Sequence, residues 1–167
     1  MLGYPLPTLL RLSILILHTA PFKPVDILLS YSHLCLQNST FMEFAPHFYR
    51  RAKVGQLLAA SPLSMGLLTQ CPPSWHPAPP GLLHAVTEAR ENWSDLTNLA
   101  LGYSLRQTRA VGDNVPLVVG FSTPEEVHEC VKVWREVSKG SDRQKREKEV
   151  CELFREAGYL EWSWASP

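Results

Sequence analysis

The sequence predicts an α/β fold of parallel strand–helix units, and three observations predict it. Short apolar runs of strand length alternate with stretches whose apolar residues recur at helical spacing. The runs are apolar throughout, as in strands covered on both faces. Fourteen prolines among 167 residues supply the many connections that such an alternation needs.

Pro7 to His18 reads as the first helix, with Pro7 near its first position and a stop at Ala20-Pro21. Val25 to Tyr31 is a nearly continuous apolar strand. Thr40 to Glu43 has the capping-box pattern, after which Phe41, Phe44, Ala45 and Phe48 share one helix face. Pro46 should kink or shorten that helix. Gln56 to Ala60 is a second strand, followed by a proline-rich loop from Cys71 to Pro80 carrying Trp75 and His76.

Leu82, Ala85, Val86 and Ala89 mark one helix stripe, and Leu96, Leu99, Ala100 and Tyr103 a second. Val115 to Val119 is a third strand. Thr123, Pro124 and Glu126 form a strong helix start, with Val127, Cys130, Val131, Trp134 and Val137 as the buried stripe of that helix. A charged connection over residues 138–149 leads to a last helix carrying Val150, Leu153, Phe154 and Ala157, ended by Gly158. Three parallel strands alone would leave unpaired edges.

Composition narrows the function. Apolar residues at 45% suffice for one core, and 16 basic against 16 acidic side chains leave no net charge. A nucleic-acid surface needs a basic excess, so nucleic acid is excluded as a partner. Only Arg11, Lys23 and Asp26 are charged in the first 40 residues, whereas more than half of all charges follow Val119. The uncharged start reads as surface meant to be covered.

Cys35, Cys71, Cys130 and Cys151 show no metal-ligand spacing and read as reduced thiols of a cytoplasmic protein. The apolar stretch Leu9 to Leu17 lacks a basic segment in front, is interrupted by Arg11 and is too short to span a bilayer. His18, His33, His47, His84 and His128 show no relay spacing and read as structural.

The segment Ser61-Pro62-Leu63-Ser64-Met65-Gly66-Leu67-Leu68, directly after a strand, resembles the SPLxxGxL segment of aldo-keto reductases. ILLSYSHLCLQNSTF resembles the sixth barrel strand of that family and its loop, PPSWHPAPP a following loop, and VVGFSTPEEVHE the eighth strand and its helix. With the ending GYLEWSWASP these resemble the L-galactose and D-arabinose dehydrogenase branch, over about Gly3 to Pro167. The resemblance implies the carboxyl-terminal three βα units of an eight-stranded (β/α) barrel, a fold that needs about 250 residues when whole. Residues 1–167 would then form one partial domain, with Met1 to Gly3 finishing a fifth strand. The resemblance thus leads us to expect an incomplete gene model or a truncated product.

The resemblance also implies the site. Ser61, Pro62, Leu63 and Gly66 would wrap the pyrophosphate of a nicotinamide dinucleotide. Gly120, Phe121, Ser122 and Thr123, at a helix start that favours anions, would hold its adenosine half. Glu126 falls where NADP-preferring members carry a base, so NAD is expected over NADP. Glu129 falls where an acid contacts adenine or ribose, and Cys130 replaces a common Asn. Leu28 stands for a nicotinamide-contacting Gln, and Ala60 for an aromatic that stacks on the nicotinamide. Trp75, His76 and Trp162 are weaker candidates for the pocket of a small aldose.

The catalytic Asp, Tyr, Lys and His of the family lie on earlier strands, so no catalytic residue and no metal ligand is assigned here. The implied reaction is NAD-linked oxidation of an aldose at C1 to its lactone, with the isolated chain inactive. Two other readings stay open: a non-catalytic nucleotide-binding fragment, and a half-barrel pairing with a separate or identical chain through its bare edge. Exposed edges lead us to expect self-association or aggregation.

Overall fold

In a computed structural model, residues 2–3, 5–111, 115–138 and 143–163 are described. Among them, four parallel strands form one sheet in the order β1-β2-β3-β4: β1 (Leu2–Gly3), β2 (Ile27–Tyr31), β3 (Gln56–Ala60) and β4 (Leu117–Val118). β2 and β3 pair along their full length, from Ile27 opposite Gln56 to Tyr31 opposite Ala60. β1 and β4 each add two residues on the outside. The short β1 is an additional strand that the sequence reading did not count among its three.

The third strand is shorter than the run Val115 to Val119 suggests. Pro116 has no N–H to donate, so regular pairing is confined to Leu117–Val118. The carbonyl of Pro116 still accepts the Ala59 N–H at 3.0 Å.

Helices connect the strands and cover one face. α1 (Leu6–Leu17) follows β1, and α2 (Phe41–Arg50) follows β2. Their buried Leu6, Leu9, Leu10, Phe41, Ala45 and Phe48 pack with Leu28, Leu57 and Ala59 of the sheet. α2 runs through Pro46 to Arg50, and its buried stripe outweighs the lost hydrogen bond. The capping box at Thr40 is not formed: Thr40 has helical backbone angles and its hydroxyl donates to Asn38 Oδ1 at 2.7 Å.

After β3 come α3 (Pro80–Asn92) and α4 (Leu96–Ala110), both with the stripes expected of them. These stripes pack with Leu67, Leu68, Val150 and Phe154 in a second cluster. α5 (Pro124–Ser138) follows β4, and α6 (Gln144–Glu156) closes on α3 and α4. Of the charged stretch 138–149, residues 139–142 lie outside the described residues and 144–149 are helix, to which Glu147 and Val150 give a buried side. Arg106 pairs with the buried Glu147, and Arg146 with Asp95, which ties α6 to α4. Gly158, at φ 78°, ends the helix as its conformational freedom allows.

Two expectations are corrected. The sheet is not covered on both faces: burial alternates along β2 and β3, so Leu28, Ser30, Leu57 and Ala59 are buried while Leu29, Tyr31, Leu58 and Ala60 are half-buried. The α5 stripe is not buried either. Only Val133 is, whereas Val127, Val131 and Trp134 are exposed, because α5 packs on α4 with its other side.

Candidate functional site

The chain leaves β3 through a turn that its sequence forces into an unusual backbone. Ser61, Ser64, Met65 and Gly66 all have positive φ, between 52° and 90°. Such angles cost a residue with a Cβ, and local hydrogen bonds offset that cost. Ser61 Oγ accepts the Met65 N–H at 2.7 Å, and the Ser61 carbonyl accepts the Ser64 N–H at 2.9 Å. Gly66 is needed twice, for its φ of +90° and because a Cβ there would meet Pro73 Cδ at 3.0 Å. Leu67 and Leu68 then anchor the turn in the core.

His76 braces this turn from the proline-rich loop. Its Nδ1 accepts the Ala78 N–H at 3.0 Å, so Nε2 carries the proton and donates to the Ser64 carbonyl at 2.9 Å. Burial lowers its pKa below the ordinary 6.5 and keeps the ring neutral.

The second loop leaves β4 and enters α5. Glu126 Oε2 accepts the Ser122 N–H at 2.6 Å, while Thr123 Oγ1 accepts the Glu126 N–H at 3.3 Å. This is the reciprocal bonding of a capping box, with the glutamate reaching one residue further back. The helix start expected at Thr123-Pro124 is therefore where the sequence put it.

The two loops, separated by almost sixty residues in sequence, face each other across a cavity of about 920 Å³. Ser61, Pro62, Leu63 and Gly66 line one wall, and Gly120, Phe121, Ser122, Glu126 and Glu129 the other. Thr123 does not line the cavity; its hydroxyl caps the helix. Thr97 and Leu101 of α4 and Glu125 also line it, with Thr69 and Gln70, and were not singled out from the sequence. Glu125 sits beside an assigned residue, but nothing local marks Thr97 or Leu101, which only the packing of α4 brings in.

Trp75, His76 and Trp162 are not among the lining residues. Trp75 is exposed and stacks on His76, with ring centroids 6.2 Å apart. Trp162 lies edge-on to Tyr159, and its carbonyl accepts from Gln37 Nε2 and Asn38 Nδ2. His76 and Trp162 thus have structural work in hand.

Electrostatically the cavity is acidic. Glu125, Glu126 and Glu129 line it, and among the described residues no Lys, Arg or His does. Hydroxyls of Ser61, Thr69, Thr97 and Ser122 and the amide of Gln70 offer neutral hydrogen-bonding groups. The volume suits a dinucleotide-sized ligand. The residues fit the neutral sugar and base portions of such a ligand, while cations to balance its phosphates would come from outside this lining. Among the described residues no tyrosine, lysine or histidine lines the cavity.

Elsewhere, burial sets the chemistry of the remaining groups. Desolvation holds His33 down to a pKa of about 4, beside Ser30 Oγ at 3.2 Å. It pushes the Cys35 and Cys151 thiols up to about 11 and 12, so both are protonated and inert near neutrality. Among the described residues there is no cluster of three metal-binding side chains, and no helix long and apolar enough to cross a membrane.

The chain is 34% identical over 152 residues to L-galactose dehydrogenase of Arabidopsis thaliana, a match covering 88% of this chain and 46% of that protein. It is 30% identical over 154 residues to D-arabinose 1-dehydrogenase of Saccharomyces cerevisiae, covering 86% and 45% respectively. The chain is thus related to a C-terminal part of that dehydrogenase family and spans just under half the length of these curated relatives. No protein-family model matches it.

Proposed function

We propose that this chain is the dinucleotide-holding part of an NAD-linked aldose 1-dehydrogenase whose strands belong to an eight-stranded (β/α) barrel. One observation carries the reading: the Ser61–Gly66 turn and the Gly120–Ser122 loop, assigned separately from sequence, share one cavity of dinucleotide size. Ser61 and the turn it organises would hold the pyrophosphate, and the start of α5 the adenosine half. A bound nicotinamide would accept a hydride from C1 of the sugar. By the resemblance, the base that takes the hydroxyl proton would come from earlier strands of the barrel.

By the resemblance, Glu126, which accepts the Ser122 N–H, falls where NADP-preferring members carry a base, and a carboxylate there would repel a further phosphate. This supports NAD as the partner over NADP. A nucleotide-binding role without turnover is the second reading, favoured by the absence of Tyr, Lys and His from the lining among the described residues.

Isothermal titration of the chain with NAD, NADP and ADP-ribose tests the assignment. Saturable binding of NAD and ADP-ribose, weaker for NADP, is the expected result. A folded chain that takes up none of them at millimolar concentration would remove the cofactor reading. Turnover of L-galactose or D-arabinose by the chain alone would show a proton acceptor we have not identified.

A further inference from the structure

Two hydrogen bonds fasten the chain just after the Ser61–Gly66 turn to the start of α4. Thr97 Oγ1 donates to the Leu68 carbonyl at 2.9 Å, and Gln70 Nε2 donates to the Ser94 carbonyl at 3.0 Å. The Arg90 guanidinium adds a third, to the Gln70 carbonyl at 3.3 Å. Thr69, Gln70 and Thr97 therefore lie together, and all three line the cavity. Thr69 Oγ1 likewise donates to a main-chain carbonyl, that of Gly66, at 2.7 Å.

These bonds fix the hydrogen-bonding sense of that wall. A hydroxyl has one hydrogen, and both threonines have committed theirs, so towards a ligand they can only accept. The Ser94 carbonyl is itself an acceptor, so the nitrogen of the Gln70 amide must face it and Oε1 is the other arm. The amide cannot turn over without setting two acceptors against each other. Phosphate oxygens at neutral pH mainly accept, so these oxygens do not suit them. The ligand group they suit is one that carries N–H.

Resting on the dinucleotide reading above, we propose that Gln70, supported by Thr97, reads the exocyclic amino group of adenine and so selects the base. That amino group donates, and Gln70 Oε1 and Thr97 Oγ1 accept. Glutamine is a recurrent partner of the adenine amino group for the same reason. A purine with a carbonyl in place of the amino group would set an acceptor against these oxygens. The amide anchored on Ser94 cannot invert to accommodate it.

Calorimetric titration of the chain with NAD and with its hypoxanthine analogue, in which a carbonyl oxygen replaces the amino group, tests it. NAD should bind about tenfold tighter, the order of one hydrogen bond lost with its acceptor left unpaired. Gln70 is exposed, so Gln70→Met removes the amide while leaving the core intact. It should bring the ratio close to one by weakening NAD. Thr97→Val, checked for folding by circular dichroism, should lower the ratio by a smaller factor. Equal affinity for both dinucleotides in the parent chain overturns the proposal and leaves the cofactor reading standing. A preference for adenine that persists undiminished in Gln70→Met overturns it too, since the base is then read elsewhere. A folded chain that binds neither dinucleotide removes both readings together.

Discussion

His76 and Ser64 hold two loops together by a single ring: Nε2 donates to the Ser64 carbonyl at 2.9 Å, from a histidine buried to 7% exposure. The opposite nitrogen is engaged by the Ala78 N–H, so neither side of the ring is free to change role. His76→Phe keeps the ring and removes both bonds, leaving the Ala78 N–H and the Ser64 carbonyl without their partner. A loss of about 1–3 kcal/mol is expected in urea unfolding. The turn from Ser61 to Gly66 should loosen too, read as faster amide exchange at Met65 and Leu67.

The His33 ring gives stability a pH dependence. Its pKa is about 4 in the folded chain and 6.5 when free, because burial disfavours the charged form. The unfolded chain binds the proton more readily, so the contribution is complete above about pH 6.5 and is lost as pH falls toward 4. The full span is about 3 kcal/mol. His33→Gln should flatten the stability curve across this window, and an unchanged acid slope in denaturant titrations at pH 4–7 would contradict it.

The buried Glu147 is tolerated only because Arg106 reaches it. Glu147 is 2% exposed, and its second oxygen has no partner among the described residues. Arg106→Met should cost about 3 kcal/mol by leaving a carboxylate buried without its counter-ion. The double variant Arg106→Met, Glu147→Leu should recover most of that loss. A double-mutant cycle by thermal unfolding measures both, and simple additivity of the two single changes would refute the coupling.

Helix faces show where the sequence was legible and where it was not. Both stripes of α3 and α4 are buried as the 3.6-residue period predicts, because those helices pack on elements within the chain. In the equally regular stripe of α5, Val127, Val131 and Trp134 are exposed while Cys130 and Val137 are half-buried: periodicity reveals that a helix has an apolar side, not that this side is packed. Thr40 fits a capping pattern, yet the neighbouring Asn38 takes its hydroxyl, since Asn competes for such donors locally. The two loops of the cavity were readable as motifs, and all their assigned residues but Thr123 face it. Thr97 and Leu101 were not, because α4 reaches the cavity only through tertiary packing.

The α5 start should respond to loss of its cap. Thr123→Ala removes the oxygen that accepts the Glu126 N–H and should cost about 1 kcal/mol. Because α5 packs mainly on α4, the loss should show first as faster amide exchange in the first turn of α5. Uniform exchange rates in the variant and the parent chain would mean that the proline and the dipole alone hold this end.

Glu126 has two consequences that one substitution separates. Its carboxylate accepts the Ser122 N–H and also adds to the negative charge of the cavity with Glu125 and Glu129. Glu126→Gln keeps an oxygen for the hydrogen bond but removes the charge, whereas Glu126→Lys reverses the charge. If charge decides the choice of dinucleotide, NADP affinity relative to NAD should rise from parent to Gln and again to Lys. The second step should reach about tenfold, equivalent to about 1.4 kcal/mol. The rise should shrink at high salt, since the cavity is open to solvent and its charges are screened. Titration at low and high ionic strength measures both effects. Equal ratios in all three chains would place the discrimination elsewhere and leave Glu126 only the role of fastening the Ser122 loop to the helix.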